Sequence, residues 1–407
     1  MAQLNVGSEI GQLRRVMVHR PELALRRLTP SNCKDLLFDD VLRVESAGKE
    51  HDAFQKVLTD NGVEVLQLHT LLAETLAISE AKQWIMERQF TAWRYGPPLQ
   101  KEVLSCLNDM TLDNMAFHLI GGMTVSELGH YPHSLTMNTL KETDFVIDPI
   151  PNHLFTRDTS CWIYGGVSMN PMAKIARRRE TVHLRAIYKF HPKFKNADFI
   201  TYYGDKDVNY DHATIEGGDV LVIGKGAVLI GLSERTSPQG VENLAQALLK
   251  TGQAKKIIAV QLPKDRSCMH LDTVFTHMTH DCFSCYQGVN LDTSPCYEIR
   301  LGDDELVVAE RIKSGLFETL ANTLEVDNLR MIPTGGDVFE AEREQWNDAN
   351  NVLAISPGKV IGYERNVHTL ENMEKAGIEV LTIPGEDLGR GRGGARCMSC
   401  PIQRDGI

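Results

Sequence analysis

A strand–helix–strand order recurs along this chain, and no other sequence feature narrows the possible folds as much. Leu13–Pro21 reads as a short apolar strand stopped by proline, Glu50–Leu58 as a helix closing at Asn61-Gly62, and Val63–Leu68 as a second strand. The order returns in Gly226–Arg235, Gly240–Lys250 and Lys256–Pro263, and again in Lys359–Arg365, Thr369–Lys375 and Gly377–Pro384. Weaker copies fall at Trp162–Lys189 and at about Thr273–Pro333. A tetrapeptide also repeats, Gly217-Gly-Asp-Val220 and Gly335-Gly-Asp-Val338. Repeats at this scale indicate similar modules stacked around a shared axis. An ordinary doubly wound α/β sheet also alternates strand and helix; the paired turns favour the repeat.

Residues 73–142 interrupt the pattern. Ile78–Tyr95 carries Ile78, Trp84, Ile85, Phe90 and Trp93 at helical spacing and stops at Gly96-Pro97-Pro98, and Leu99–Leu107 and Thr111–Ile120 read as two more helices. This is expected to be a helical subdomain inserted into a single catalytic domain spanning 1–407, its Met and aromatic residues forming core.

With 407 residues the chain exceeds the usual single-core size, which suits one large repeat-built domain or two domains. A formal charge of -11 argues against nucleic acid as a partner, since phosphate neutralisation needs clustered Lys and Arg. No secretory leader is visible, and no apolar run is long enough to span a membrane. Nine scattered cysteines suit a reduced, cytoplasmic setting. Two CxxC pairs, Cys282/Cys285 and Cys397/Cys400, lie too far apart for a zinc ribbon.

Five stretches can carry chemistry. Gly389–Pro401 is a glycine-rich, arginine-bearing loop ending on Cys397; it suggests a lid that delivers a thiol nucleophile. Its glycines also fit G-x-G-x-x-G, but no strand–helix–strand context surrounds them, so a dinucleotide fingerprint is rejected. Pro151–Thr159 is a polar cluster with one aromatic. Glu216 precedes a Gly-Gly turn. In Cys268–Thr273, His270 and Asp272 are two apart, which on an extended strand points both to one face. Arg177–Arg179 is a triple arginine, with Arg235 as a further anion ligand. Each has a plain structural reading: a hydrogen-bonded His270, a turn-capping Asp158, a solvated arginine face, one thiol of nine.

Taken together, and in order, these stretches resemble bacterial arginine deiminases from end to end. The likeness rests on Asn152–Asp158, Glu216–Asp219, His270 with Asp272, Gly335–Phe339 with Glu344–Asn350, and Gly389–Pro401. It implies the pseudo-fivefold α/β propeller of ββαβ modules found in the guanidino-group-modifying superfamily, with a helical insertion. It also implies hydrolysis of L-arginine to citrulline and ammonia. Cys397 would be the nucleophile, His270 the general acid and base oriented by Glu216, and Asp158 and Asp272 the carboxylates gripping the guanidinium. Asn152, Phe155, Arg177, Arg235 and Arg392 would bind the rest of the substrate, with Leu36–Asp40 as a loop opposing Arg392. No metal or organic cofactor is required by this set, and a homo-oligomer is expected. Some family members carry histidine where this chain has Arg396, so their acid-optimum behaviour is not carried over. Agmatine or methylated-arginine deimination, amidino transfer, a non-catalytic arginine sensor and a Cys397/Cys400 redox switch are the competing readings.

Overall fold

A computed structural model describes residues 4–129 and 133–407. Among these residues, five sheets share one plan: an antiparallel pair, a helix, and a third strand parallel to its neighbour. In one unit, Ser160–Ile163 pairs with Gly166–Met169, the helix Arg178–Phe190 follows, and Ile200–Tyr203 joins in parallel. The same plan holds for Val220–Gly224, Ala227–Leu232 and Lys256–Gln261 around the helix Pro238–Lys250. It holds again for Phe275–Thr279, Cys282–Cys285 and Arg330–Pro333, and for Leu353–Ser356, Lys359–Tyr363 and Glu379–Ile383. The fifth unit is made by both ends of the chain: Cys400–Arg404 lies antiparallel to Leu13–Val18, which pairs in parallel with Glu64–Gln67. No sheet closes into a barrel among the described residues.

The sequence accounts for these elements locally. The helix Pro238–Lys250 starts where Ser237 Oγ accepts from Gly240 N–H, with Pro238 in its first turn. It buries Val241, Leu244, Ala245 and Leu248, one stripe at 3–4 residue spacing. The first strand of the same unit, Val220–Gly224, is buried at every position, as a strand covered on both faces must be.

Between Glu64–Gln67 and Ser160–Ile163 the chain runs through helices at Leu68–Leu76, Ser79–Gln89, Pro97–Asn108 and Leu112–Gly121. Their apolar residues share one buried cluster with Ile163, Val167 and Ile230 of the sheets. The single helix expected over 78–95 is broken at Phe90, and only the short turn Ala92–Tyr95 follows. No helix among the described residues is long and apolar enough to cross a membrane.

Two sequence readings are corrected. The repeated Gly-Gly-Asp-Val is not one structural motif. Gly217–Asp219 is a tight turn feeding the strand Val220–Gly224, whereas Asp337 caps the helix Val338–Trp346 by accepting from Phe339 and Glu340 N–H. The difference lies in what the aspartate bonds: Asp219 reaches Leu271 N–H and Ser233 Oγ across the fold, Asp337 only its own next turn. Likewise His270 and Asp272 do not lie on a strand. Leu271–Thr273 is a turn of 3₁₀ helix, and the two side chains face different partners.

Candidate active site

Each unit enters its first strand through a loop, and these five loops bring the chemistry together. Asp158 stands just before Ser160–Ile163, Glu216 before Val220–Gly224, Asp272 before Phe275–Thr279, Asn351 before Leu353–Ser356, and Cys397 before Cys400–Arg404. The sheets are buried and rigid, so the loop residues at their ends are held within a small volume.

One half of the cluster surrounds the thiol. Cys397 Sγ lies 3.7 Å from Asp272 Oδ2 and 4.0 Å from Oδ1. Its own N–H donates to Asn351 Oδ1 at 2.9 Å, and Asn351 Nδ2 donates to the Asp272 carbonyl at 3.1 Å. Arg396 Nη1 holds Asp272 Oδ2 at 2.7 Å, while its Nε meets Glu9 Oε2 at 3.0 Å. Burial, then Asp272 and Asp158, push the thiol well above the ordinary range; Arg396 opposes them. Glu9 goes the other way, to about 2: burial is outweighed by Arg396 and Arg157.

The other half surrounds the imidazole. His270 Nε2 and Glu216 Oε2 are 2.8 Å apart, and Nδ1 lies 3.7 Å from Asp158 Oδ1. Burial alone would pull His270 down, but Asp158 and the bond to Glu216 override it and raise the group to about 9. It is therefore an imidazolium at neutral pH, and Glu216, lowered by Arg235 and by His270 against the cost of burial, is its carboxylate partner. Gly218 joins the halves. Its N–H donates to Asp158 Oδ1 at 3.1 Å, and its carbonyl accepts from Arg396. A Cβ there would lie 2.7 Å from the His270 ring, so the close approach requires glycine.

Several residues named from sequence stand elsewhere than facing open space. Arg177 Nη1 is 2.6 Å from Asp158 Oδ2, and its other nitrogens reach Glu180 and the carbonyls of Asn152 and Phe155. Arg235 Nη1 lies 3.4 Å from Glu216 Oε2. Asn152 donates to the Leu36 carbonyl at 2.7 Å. Phe155 stacks on Phe38, 6.1 Å between ring centres, and closes against Gly393, where a Cβ would clash at 2.2 Å. Arg392 has φ of 61°, is 3% exposed, and lies 3.6 Å over the Trp346 ring. None of its three guanidine nitrogens has a hydrogen-bond partner among the described residues. Asp348 is raised to about 7, burial outweighing the attraction of Arg392.

The glycine-rich loop is closed in this structure. Arg390 pairs with Asp40 at 2.9 Å, Tyr363 Oη donates to the Gly393 carbonyl at 2.8 Å, and Arg266 ties Asp39 and the Leu37 carbonyl to the rim. Cys400 sits away from the chemistry with its Sγ 3.5 Å from the Ser160 carbonyl, and all nine cysteines are free.

Sequence reading missed Glu9 and Asn351, gave no role to Arg157, Trp346 and Asp348 although they lie in the stretches Pro151–Thr159 and Glu344–Asn350, and weighed Arg396 only as a departure from relatives. The partners of Glu9 and Arg157 had no local signal, because they are distant in the chain: Glu9 meets Arg396, and Arg157 holds the Arg396 carbonyl and Ser399 Oγ. Asn351 had one: it precedes a strand, as the other site residues do. Asp158, Glu216 and His270 also offer ligand atoms within 4.8 Å of one another, a donor set suited to a cation. Here the Arg177 guanidinium supplies positive charge to that cluster.

Such a site pairs a protonated thiol with an imidazolium inside a ring of carboxylates, an arrangement made for a cationic, planar electrophile. Comparison with known proteins gives the same direction. A family model described as arginine deiminase matches residues 34–404. Among solved structures, the amidinotransferase SxtG from Microseira wollei, of the saxitoxin biosynthetic pathway, superposes with a TM-score of 0.56 at 13% identity, covering 99% of this chain and 98% of that one. The N-terminal domain of the cyanobacterial arginine dihydrolase ArgZ, bound to product, gives 0.52 at 11%, covering 96% and 97%. A dimethylarginine dimethylaminohydrolase from Pseudomonas aeruginosa complexed with citrulline gives 0.51 at 14%, covering 96% and 99%. The mixed α/β fold is thus that of guanidino-modifying enzymes.

Proposed function

The chain belongs to the arginine deiminase family, and from that premise we propose that it hydrolyses free L-arginine to L-citrulline and ammonia, the first step of a degradative route. The observation that carries the reading is the position of Cys397 Sγ beside Asp272, with the His270–Glu216 pair across the same cluster.

Asp158 and Asp272 each hold a protein guanidinium through Oδ2. Both oxygens of Asp272 lie within 4.0 Å of Cys397 Sγ, and Asp158 Oδ1, which also accepts from Gly218 N–H, lies 3.7 Å from His270 Nδ1. A substrate guanidinium gripped by these carboxylates is fixed in plane by charge-assisted hydrogen bonds. Its charge also offsets the carboxylate field that keeps the thiol protonated, so the bound substrate assists ionisation of Cys397. The thiolate adds to the guanidinium carbon, forming a C–S bond. His270 gives its proton to the departing nitrogen, the C–N bond breaks, and ammonia leaves an amidino-cysteine. Neutral His270 then takes a proton from water; the hydroxide adds to the same carbon, the C–S bond breaks, and citrulline is released as Cys397 recovers its sulfur.

The α-carboxylate needs cations. Arg392 has three unpaired nitrogens for it; Arg177 and Arg235 contribute by exchanging their present carboxylate partners, with Asn152 beside them and Phe155 against the stem. We propose further that the five units form the blades of a pseudo-fivefold propeller around this cluster. Incubation with free arginine, agmatine and methylated arginine, with citrulline and ammonia measured and an amine acceptor added in parallel, tests the reading. Citrulline and ammonia in equal amounts from arginine are expected. Turnover of agmatine alone, or product only with the acceptor, overturns it.

A further inference from the structure

Arg392 of the glycine-rich loop and Asp348 are both buried, and the three guanidine nitrogens of one and both carboxyl oxygens of the other have no hydrogen-bond partner among the described residues. They lie close enough for each to act on the other's ionisation. Both hold left-handed backbone, φ of 61°. Yet they do not pair. The Arg392 guanidinium lies instead 3.6 Å over the centre of the Trp346 ring, two residues before Asp348. That ring has a stiff support. Trp346 ends the helix Val338–Trp346, whose Gln345 donates to the Ser267 and Thr273 carbonyls and whose Glu344 accepts from His368 and Thr369 N–H. Just past it, the Asn347 carbonyl is held by Asn366. The Arg392 side chain, by contrast, has the ring and no hydrogen bond.

We propose that Trp346 is a positioning residue: its ring stores Arg392 flat and unbonded, apart from Asp348, so that the guanidinium passes to the substrate's α-carboxylate without first breaking an ion pair. The inference rests on the proposed function, in which Arg392 meets that carboxylate. A desolvated guanidinium is attracted to an indole face, but the hold is weaker than that of a carboxylate. An incoming α-carboxylate therefore displaces the ring readily. A buried Arg392–Asp348 pair would resist, because removing one partner leaves the other charge buried and uncompensated. Without the indole, Arg392 is free to meet Asp348, and substrate must then compete with that pair.

Steady-state kinetics and tryptophan emission test this on the full chain. Trp346→Leu should raise KM for arginine about tenfold while kcat stays within about twofold of native. Trp346→Phe keeps an aromatic face, so its KM should stay within about threefold of native. Adding Asp348→Asn to Trp346→Leu should restore most of the loss, since asparagine tolerates left-handed backbone and carries no charge. In Cys397→Ser, which cannot form the thioether-type adduct, arginine should change tryptophan emission saturably as Arg392 leaves the ring; Trp346→Leu and Arg392→Ala should each abolish that change. A KM indifferent to Trp346→Leu, a double variant no better than Trp346→Leu, or an emission change that survives the loss of Trp346 overturns the inference, while citrulline from the native chain leaves the proposed function standing. No citrulline from the native chain overturns both.

Discussion

The thiol and the imidazole sit in the same ring of buried carboxylates and respond in opposite senses. Cys397 is driven towards its neutral form, because its ionised form is an anion. His270 is driven towards its charged form, because that form is a cation. One field therefore makes the nucleophile idle and the general acid ready. Arg396 alone does not offset the carboxylates at the sulfur; on the proposed reaction the bound substrate is the further cation that does.

The strongest way to break this contrast is to remove either member. Cys397→Ala should abolish turnover, read as citrulline below background. His270→Gln should lower kcat by about 10²–10⁴-fold, and covalent adduct on Cys397 should still be detected by mass spectrometry if ammonia loss survives. The native enzyme should also lose kcat as pH rises through about 9, where the imidazolium gives up its proton. Linkage carries the same sign: because the folded value lies above the ordinary 6.5, His270 stabilises the fold fully below about 6.5, and that contribution is gone above about 9.

Asp272→Asn separates the two effects of the carboxylate. The thiol should alkylate faster at neutral pH, since a raising charge is gone. Turnover should nonetheless fall, because the guanidinium grip is lost and Arg396 keeps only Glu9 of its two buried carboxylate partners. Slower alkylation would show that the charge is not what holds the thiol neutral. Asn351→Ala is milder. It deletes the bonds to Cys397 N–H and to the Asp272 carbonyl, each worth about 1 kcal/mol. A fall in kcat of about tenfold with little change in KM is expected; an effect on KM alone would place Asn351 in binding. The smallest effect belongs to Arg390→Ala. The Arg390–Asp40 pair is half-exposed on both sides and screened by solvent, so KM should move less than about fivefold.

The repeated strand–helix–strand order was clear in three units, where strands such as Ala227–Leu232 are apolar runs, and weak in two, where Phe275–Thr279 and Ser160–Ile163 carry buried polar residues. The Gly-Gly-Asp-Val pairing misled, because identical local letters bonded to different partners. His270 and Asp272 were found for a reason that does not hold: the spacing rule assumed a strand, and Asp219 instead pulls Leu271 N–H into a 3₁₀ turn. Arg396 shows the limit best. Nothing in Gly393–Cys397 says which anion that arginine will meet, since Asp272 arrives from another unit and Glu9 from the other end of the chain; Arg177 instead meets Glu180, three residues on, and Asp158 of its own unit. What was visible but not used is the common position of the site residues, just ahead of the first strand of each unit.

The central claim is that free Cys397 is a thiol and becomes a thiolate only beside a bound cation. Thiolate absorbance, taken as the difference between the native chain and Cys397→Ser across a pH series, measures this directly. Without substrate the inflection should lie above the ordinary value of about 8.5. A thiolate already formed at or below pH 7 in the free enzyme would contradict it.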